Sequence, residues 1–251
     1  MSFLKTVKKG IRQVLDKARA VDPAKAYDLW ASSYDTQQDN LLIYVDEQMF
    51  AELSADLSFE GKVVADIGCG TGRHWPTVLA GKPSRLIGYD VSREMIAVLR
   101  SKYPGTEAHV LQGQSLPGLE DASCDVILCN LVIGYIDDLR GAFAEWNRVL
   151  KPAGVVVITD LHPAVIRRGG DRSFSHRNRK VLIRSHLHSL EEIRSLAAGL
   201  GWVEDIRVER RIDERIRPFY EARNALSKYE TLFRDLRGAE VAFGWRFSRG
   251  L

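Results

Sequence analysis

The chain has 251 residues, of which 45% are hydrophobic and 27% charged, and its net charge is +3. That length suits one elaborated α/β domain, and the charge is too small to imply nucleic acid by itself. No apolar run approaches the roughly 20 residues of a membrane span, and none forms a signal-peptide core.

In chain order, residues 1–20 place Leu4, Val7, Ile11, Val14, Leu15 and Ala18 on one helical stripe flanked by Lys5, Lys8, Lys9, Arg12, Lys17 and Arg19. Such a helix either packs on the domain or lies on an anionic membrane surface, and the lack of Trp favours packing. Asp22-Pro23 reads as an N-cap with proline at the first helical position. A further helix is expected over Asp39–Leu53, with Leu42, Val45, Met49 and Leu53 inward. From Gly61 the pattern alternates, with strands near 62–67, 85–89, 107–111, 124–130 and 154–160 and helices near 72–80, 92–103 and 138–150. That alternation implies a parallel sheet covered on both faces. Ser189 to Glu192 offers a capping box for a helix to about Leu200, with Gly201 behind it. A strand over Val203–Glu209, a helix over Glu221–Leu236 and a strand over Val241–Phe247 complete the chain.

The richest stretch is Val63-Val64-Ala65-Asp66-Ile67-Gly68-Cys69-Gly70-Thr71-Gly72, a buried strand running into a glycine-rich turn. About twenty residues on, a second strand ends in Asp90, where nucleotide-binding α/β folds hold a ribose diol. A dinucleotide fingerprint needs a third glycine where Arg73 stands, so a nicotinamide cofactor is disfavoured. Cys69, Cys124 and Cys129 lack metal or disulfide spacing, which points to a reducing cytoplasm. His186 and His188 alternate without a third ligand, so no metal is expected, and His74 and His109 read as packing residues.

From Asp66 and its glycines through Asp90, Gln112–Pro117, Asp125–Val132 and Leu150–Val155, the order resembles the class I S-adenosylmethionine-dependent methyltransferases. Tyr27-Asp28-Leu29-Trp30-Ala31-Ser32-Ser33-Tyr34-Asp35 is similar to the leading signature of the group that includes ubiquinone and menaquinone methyltransferases. The resemblance implies a Rossmann-like three-layer sandwich whose seven-stranded sheet is mostly parallel, with an antiparallel last strand. It further implies an N-terminal helical extension and lid over residues 1–55 and a methyltransferase domain over 56–251, with a basic lid insertion at about 162–187.

On that resemblance, S-adenosylmethionine is expected against Gly68, Cys69, Gly70, Thr71 and Gly72, with Asp66 toward its ammonium and Asp90 with Val91 at its ribose. Met95, Gln112, Gly113 and Gln114 are expected beside the adenine, and Asn130 and Leu131 near the sulfonium. Tyr27, Trp30 and Tyr34 read either as a lid or as packing between the N-terminal helices and the sheet. His162, in Asp160-Leu161-His162-Pro163, is the candidate base, and Tyr135 a candidate substrate contact. Arg167, Arg168, Arg172, Arg177, Arg179, Lys180 and Arg184 surround the lone acid Asp171; they suit an anionic acceptor or a solvated loop. The expected function is methyl transfer by in-line displacement to a small organic acceptor. An RNA or protein methyltransferase and a non-catalytic S-adenosylmethionine-binding protein are the alternatives.

Overall fold

A computed structural model describes residues 20–36 and 40–250. The amphipathic segment before residue 20, with its possible membrane contact, lies outside the described residues. So does Asp39.

The first helix, α1 (Pro23–Tyr34), starts where Asp22 accepts from Ala24 N at 3.1 Å. Next comes α2 (Leu41–Leu53), capped by Asn40 rather than starting at Asp39. The alternating core comprises β1 (Val63–Ile67), α3 (Trp75–Ala80), β2 (Arg85–Asp90), α4 (Arg93–Lys102), β3 (Glu107–Val110), β4 (Cys124–Asn130), α5 (Leu139–Val149) and β5 (Leu150–Leu161). Beyond it lie α6 (Pro163–Arg167), β6 (Ser173–His176), β7 (Arg179–Leu182), α7 (Leu190–Gly199) and β8 (Trp202–Arg211). Two short helices, α8 (Arg217–Glu221) and α9 (Leu226–Leu236), precede β9 (Glu240–Arg249).

The main sheet has seven strands in the order β3-β2-β1-β4-β5-β9-β8, with only β9 antiparallel to its neighbours. This is the sheet expected from the resemblance. The two-residue period of a strand sorts its side chains between layers. Ala65, Ile67, Ile127, Cys129, Val156 and Ile158 face α5 and α7, meeting Phe143, Trp146 and Ile193. Val64, Val126, Leu128 and Val157 face the other way, against Val45, Met49 and Leu53 of α2.

Three local expectations are corrected. Helix α3 starts at Trp75, not 72, because the glycine turn continues through Gly72 at φ 80°. The helix expected over Glu221–Leu236 breaks between α8 and α9, where Asn224 takes φ 51°. The basic segment after β5 is no loop: β6 and β7 form an antiparallel hairpin, with Phe174 opposite Val181. Its Phe174 ring stacks on Trp30 with centroids 4.4 Å apart, so the hairpin is fastened to α1.

Candidate active site

Parallel strands end together, so the turns after them share one crevice. Here a cavity of about 360 Å³ opens at the carboxyl ends of β1, β2 and β4, lined by Ile67, Gly68, Asp90 and Asn130 and by Leu111 just beyond β3. The turn after β1 is held by Gly68 N and Cys69 N, which donate to Tyr89 O at 2.6 and 3.0 Å. Gly68 has φ 69°, and a Cβ there would meet Val132 at 2.1 Å, so nothing larger fits. Gly70 and Gly113 also line the cavity, and a Cβ on either would meet nothing within 4 Å. The backbone is bare where a ligand must approach.

Asp90, at the end of β2, is part of the lining. Its carboxylate accepts from Gly70 N at 2.9 Å and Ser92 N at 2.8 Å. Burial pushes its pKa up to about 6 against those two donors, which favour the charged form. Val91, Met95 and Gln114 line the cavity beside it.

Tyrosines from two elements also line the cavity. Tyr27 and Tyr34 lie seven residues apart on α1 and therefore share a face. The acids beside them anchor the helix. Asp28 accepts from Ser92 Oγ at 2.6 Å and Glu94 N at 3.1 Å, while Asp35 accepts from Thr71 Oγ1 at 2.6 Å and Lys102 Nζ at 2.9 Å. Tyr135, in the short 3-10 turn after β4, accepts from Tyr27 OH at 3.1 Å. Burial holds the Tyr27 phenol well above its ordinary value, so it remains a neutral hydroxyl.

Several expected site residues stand elsewhere. Asp66 does not line the cavity; its carboxylate accepts from Trp75 Nε1 at 2.8 Å, and burial raises its pKa to about 7. Cys69 packs with Trp75 and Leu99, Thr71 is spent on Asp35, and Gly72 sits tight against Leu99. Gln112 is exposed and outside the lining, and Trp30 backs the tyrosines from behind, 5.6 Å from the Tyr27 ring. His162 is also outside. Its Nδ1 accepts from Ala164 N at 3.1 Å as the cap of α6, and its ring edges onto Phe243 of β9. No histidine lines the cavity among the described residues, so the base assignment loses its geometry. His186 and His188 do point together, with rings 6.3 Å apart, and His188 Nε2 lies 2.8 Å from Ile136 O. Among the described residues no cluster of His, Cys, Asp or Glu could hold a metal ion.

Two buried networks escaped the sequence. Arg172, in the segment read as suiting an anionic acceptor or a solvated loop, is 8% exposed, donates to Asp160 at 2.8 Å and lies 4.9 Å over the Tyr135 ring. Asp160 also accepts from Gly134 N at 2.7 Å, fixing the turn that carries Tyr135. In the second network, Asp46 of α2 meets Arg73 Nη2 at 2.5 Å, His74 Nε2 at 2.9 Å and the Thr159 hydroxyl. Burial alone would raise the Asp46 pKa, but the Arg73 charge with the His74 and Thr159 contacts outweighs it and holds the carboxyl well below its usual range. The signal for Asp46 was an acid set against the apolar stripe of its helix; nothing local marked Arg172.

Residues 65–158 match the methyltransferase domain family. The chain is 30% identical over 139 residues to the demethylmenaquinone methyltransferase of Chlorobaculum parvum, covering 53% of this chain and 57% of that one. It is 31% identical over 155 residues to the malonyl-[acyl-carrier protein] O-methyltransferase of Hahella chejuensis, covering 60% of this chain and 52% of that one. The matches thus span little more than half of either relative's length. The geranyl diphosphate C-methyltransferase of Streptomyces coelicolor, solved with S-adenosyl-L-homocysteine, shares the fold at a TM-score of 0.61 and 18% identity, over 81% of this chain and 79% of that one.

Proposed function

The chain belongs to the class I S-adenosylmethionine-dependent methyltransferases by its matched domain and its sheet order, and on that premise we propose that it transfers a methyl group from S-adenosylmethionine to a small, uncharged organic acceptor. The observation that carries this is the cavity itself. It has bare glycine backbone at Gly70 and Gly113, a ribose-type carboxylate at Asp90, and the rings of Tyr27, Tyr34 and Tyr135 in its wall.

The residues fit the cofactor. Asp90 has lone pairs left after its two backbone donors, enough to accept from a ribose diol. Gly68 and Gly70 leave room for the methionine arm, and Met95 with Leu116 offers an apolar slot for the adenine. When bound, S-adenosylmethionine supplies an electrophilic methyl on a cationic sulfur. The protein's share of the work is alignment and exclusion of water, and good alignment is worth up to about 7–11 kcal/mol of barrier. Tyr27, Tyr34 and Tyr135 line the cavity, and their rings suit both a cationic sulfur and a flat acceptor.

The charge of the lining argues against an acidic acceptor. Among the described residues it includes Asp22, Asp90 and Asp137 but no lysine or arginine. Arg172, the buried cation nearest Tyr135, is already paired with Asp160. Of the two relatives, this favours the acceptor type named for the demethylmenaquinone enzyme. The first test is calorimetric titration with S-adenosylmethionine, S-adenosylhomocysteine and NAD. Binding of the first two alone supports the proposal, and labelled-methyl transfer to a panel of ring-bearing acceptors then extends it. Binding of NAD, or of nothing, overturns it.

A further inference from the structure

The rings of Tyr27 and Tyr135 reach the cavity from α1 and from the 3-10 turn after β4, 108 residues apart in the chain. They meet edge to face with centroids 5.6 Å apart, and their hydroxyl oxygens lie 3.1 Å apart. Each phenol has one proton and two lone pairs. One proton lies between the two oxygens. Among the described residues the second proton has no acceptor, so the pair offers the cavity one donor with lone pairs beside it. Phenylalanine would serve for packing alone.

The turn that carries Tyr135 is held by groups from two other segments. The buried Arg172 lies on the ring face, its Cζ 4.9 Å from the centroid, and so close to Gly134 that a Cβ there would overlap the guanidinium. Its Nη2 donates to Asp160 Oδ1 at 2.8 Å, and Asp160 Oδ2 accepts from Gly134 N at 2.7 Å. From the segment after β7, His186 N donates to Gly134 O at 2.8 Å. A buried ion pair adds little net stability over apolar side chains of the same volume. Its effect here is geometric: it fixes the Tyr135 ring and with it the hydroxyl pair.

We infer that the Tyr27–Tyr135 hydroxyl pair holds a neutral oxygen of the acceptor, a hydroxyl or a carbonyl, and that Arg172 and Asp160 are positioning residues for that contact. A carbonyl accepts the unused proton; a hydroxyl accepts it and returns its own to a tyrosine lone pair. A carboxylate would bring a full charge to a lining that holds carboxylates and, among the described residues, no lysine or arginine. The pair orients the oxygen and takes no proton from it, since burial keeps the Tyr27 phenol neutral. This rests on the proposed function, which requires an acceptor in this cavity, and adds which group of the acceptor is read.

The probes are 2-naphthol and naphthalene, flat rings that differ by one hydroxyl, measured by equilibrium dialysis against protein saturated with S-adenosylhomocysteine. Wild-type protein should prefer 2-naphthol by about two- to tenfold, the span of one net hydrogen bond. Tyr27→Phe and Tyr135→Phe each leave one hydroxyl with its proton unused, so each alone should lose only part of the preference. The double variant should lose all of it, with naphthalene and S-adenosylhomocysteine affinities unchanged. Arg172→Met combined with Asp160→Asn removes the ion pair without stranding a charge and should lower the preference, whereas Arg172→Lys keeps the charge and should retain most of it. Loss of both probes alike in the Arg172→Met, Asp160→Asn variant would reduce the ion pair to a structural role. No preference in the wild type, or a preference that survives loss of both hydroxyls, overturns the inference and leaves the proposed function standing. Weaker S-adenosylhomocysteine binding in the double tyrosine variant assigns the pair to the donor and overturns it as well. Wild-type protein that does not bind S-adenosylhomocysteine overturns both.

Discussion

At the scale of single residues, Asp90 and His162 show how position separates two plausible chemical groups. Asp90 sits at a strand end, inside the cavity, with a pKa raised to about 6 by burial. Ribose hydroxyls donate to the charged form, so affinity for S-adenosylhomocysteine should fall as pH drops below about 6. Asp90→Ala should cost about ten- to a hundredfold in affinity, and Asp90→Asn should flatten the pH dependence; calorimetry across pH 5–8 checks both. His162 was equally visible in the sequence and has the more useful titration range, yet it caps α6 outside the lining. Accordingly His162→Ala should leave single-turnover rates unchanged. It should lower the unfolding midpoint by about 2–4 °C, the shift for a cap worth about 1 kcal/mol. A rate loss without a stability loss would restore it as a base. Residues such as Asp90 were legible because strand, glycine turn and acid lie within one short stretch. Asp46, Thr159 and Arg172 were not, because each gains its meaning from a partner on another element.

At the scale of elements, α1 lines the cavity and the β6–β7 hairpin packs behind it. The repeat Tyr27-Asp28 and Tyr34-Asp35 has a mechanical sense: the tyrosines face the cavity and the acids tie the helix to α4 and the glycine turn. The hairpin presses on the helix from outside through Phe174 and Trp30. Phe174→Ala should therefore raise hydrogen exchange in 173–182 and 23–34, and weaken S-adenosylhomocysteine, without comparable change in the central strands. Uniform exchange across the sheet would refute a local coupling of hairpin and helix. The central strands could be read from their β-branched runs. The hairpin could not, since its strands carry Arg179, Lys180 and His176, and only Phe174, Val181 and Ile183 betray a buried side.

At the scale of the molecule, the buried carboxyls of Asp66 and Asp90 make stability depend on pH. Asp66 rises from 3.8 to about 7 and Asp90 from 3.8 to about 6 on folding. A raised folded pKa means that the contribution is full below about pH 4 and lost as pH climbs through the folded value. The stability contributed by these two carboxyls should thus decline between about pH 4 and pH 7, against the opposite slope of His74 and His162, whose values burial lowers. Asp66→Asn, which keeps an oxygen for Trp75, should reduce that slope; an unchanged slope in differential scanning fluorimetry would count against it.

The sheet order also governs the sequence of events in assembly. β9 follows β8 in the chain yet lies between β5 and β8. As the polypeptide emerges, β8 therefore has no neighbour to join, and β5 keeps an open edge until residues 240–249 arrive. Phe243, Trp245 and Phe247, all nearly fully buried, are added at that same moment. The core facing α5 and α7 is thus sealed late, by one insertion between two waiting strands. Until then the nascent chain offers exactly the kind of unpaired edge that a chaperone, or a second nascent chain, would recognise.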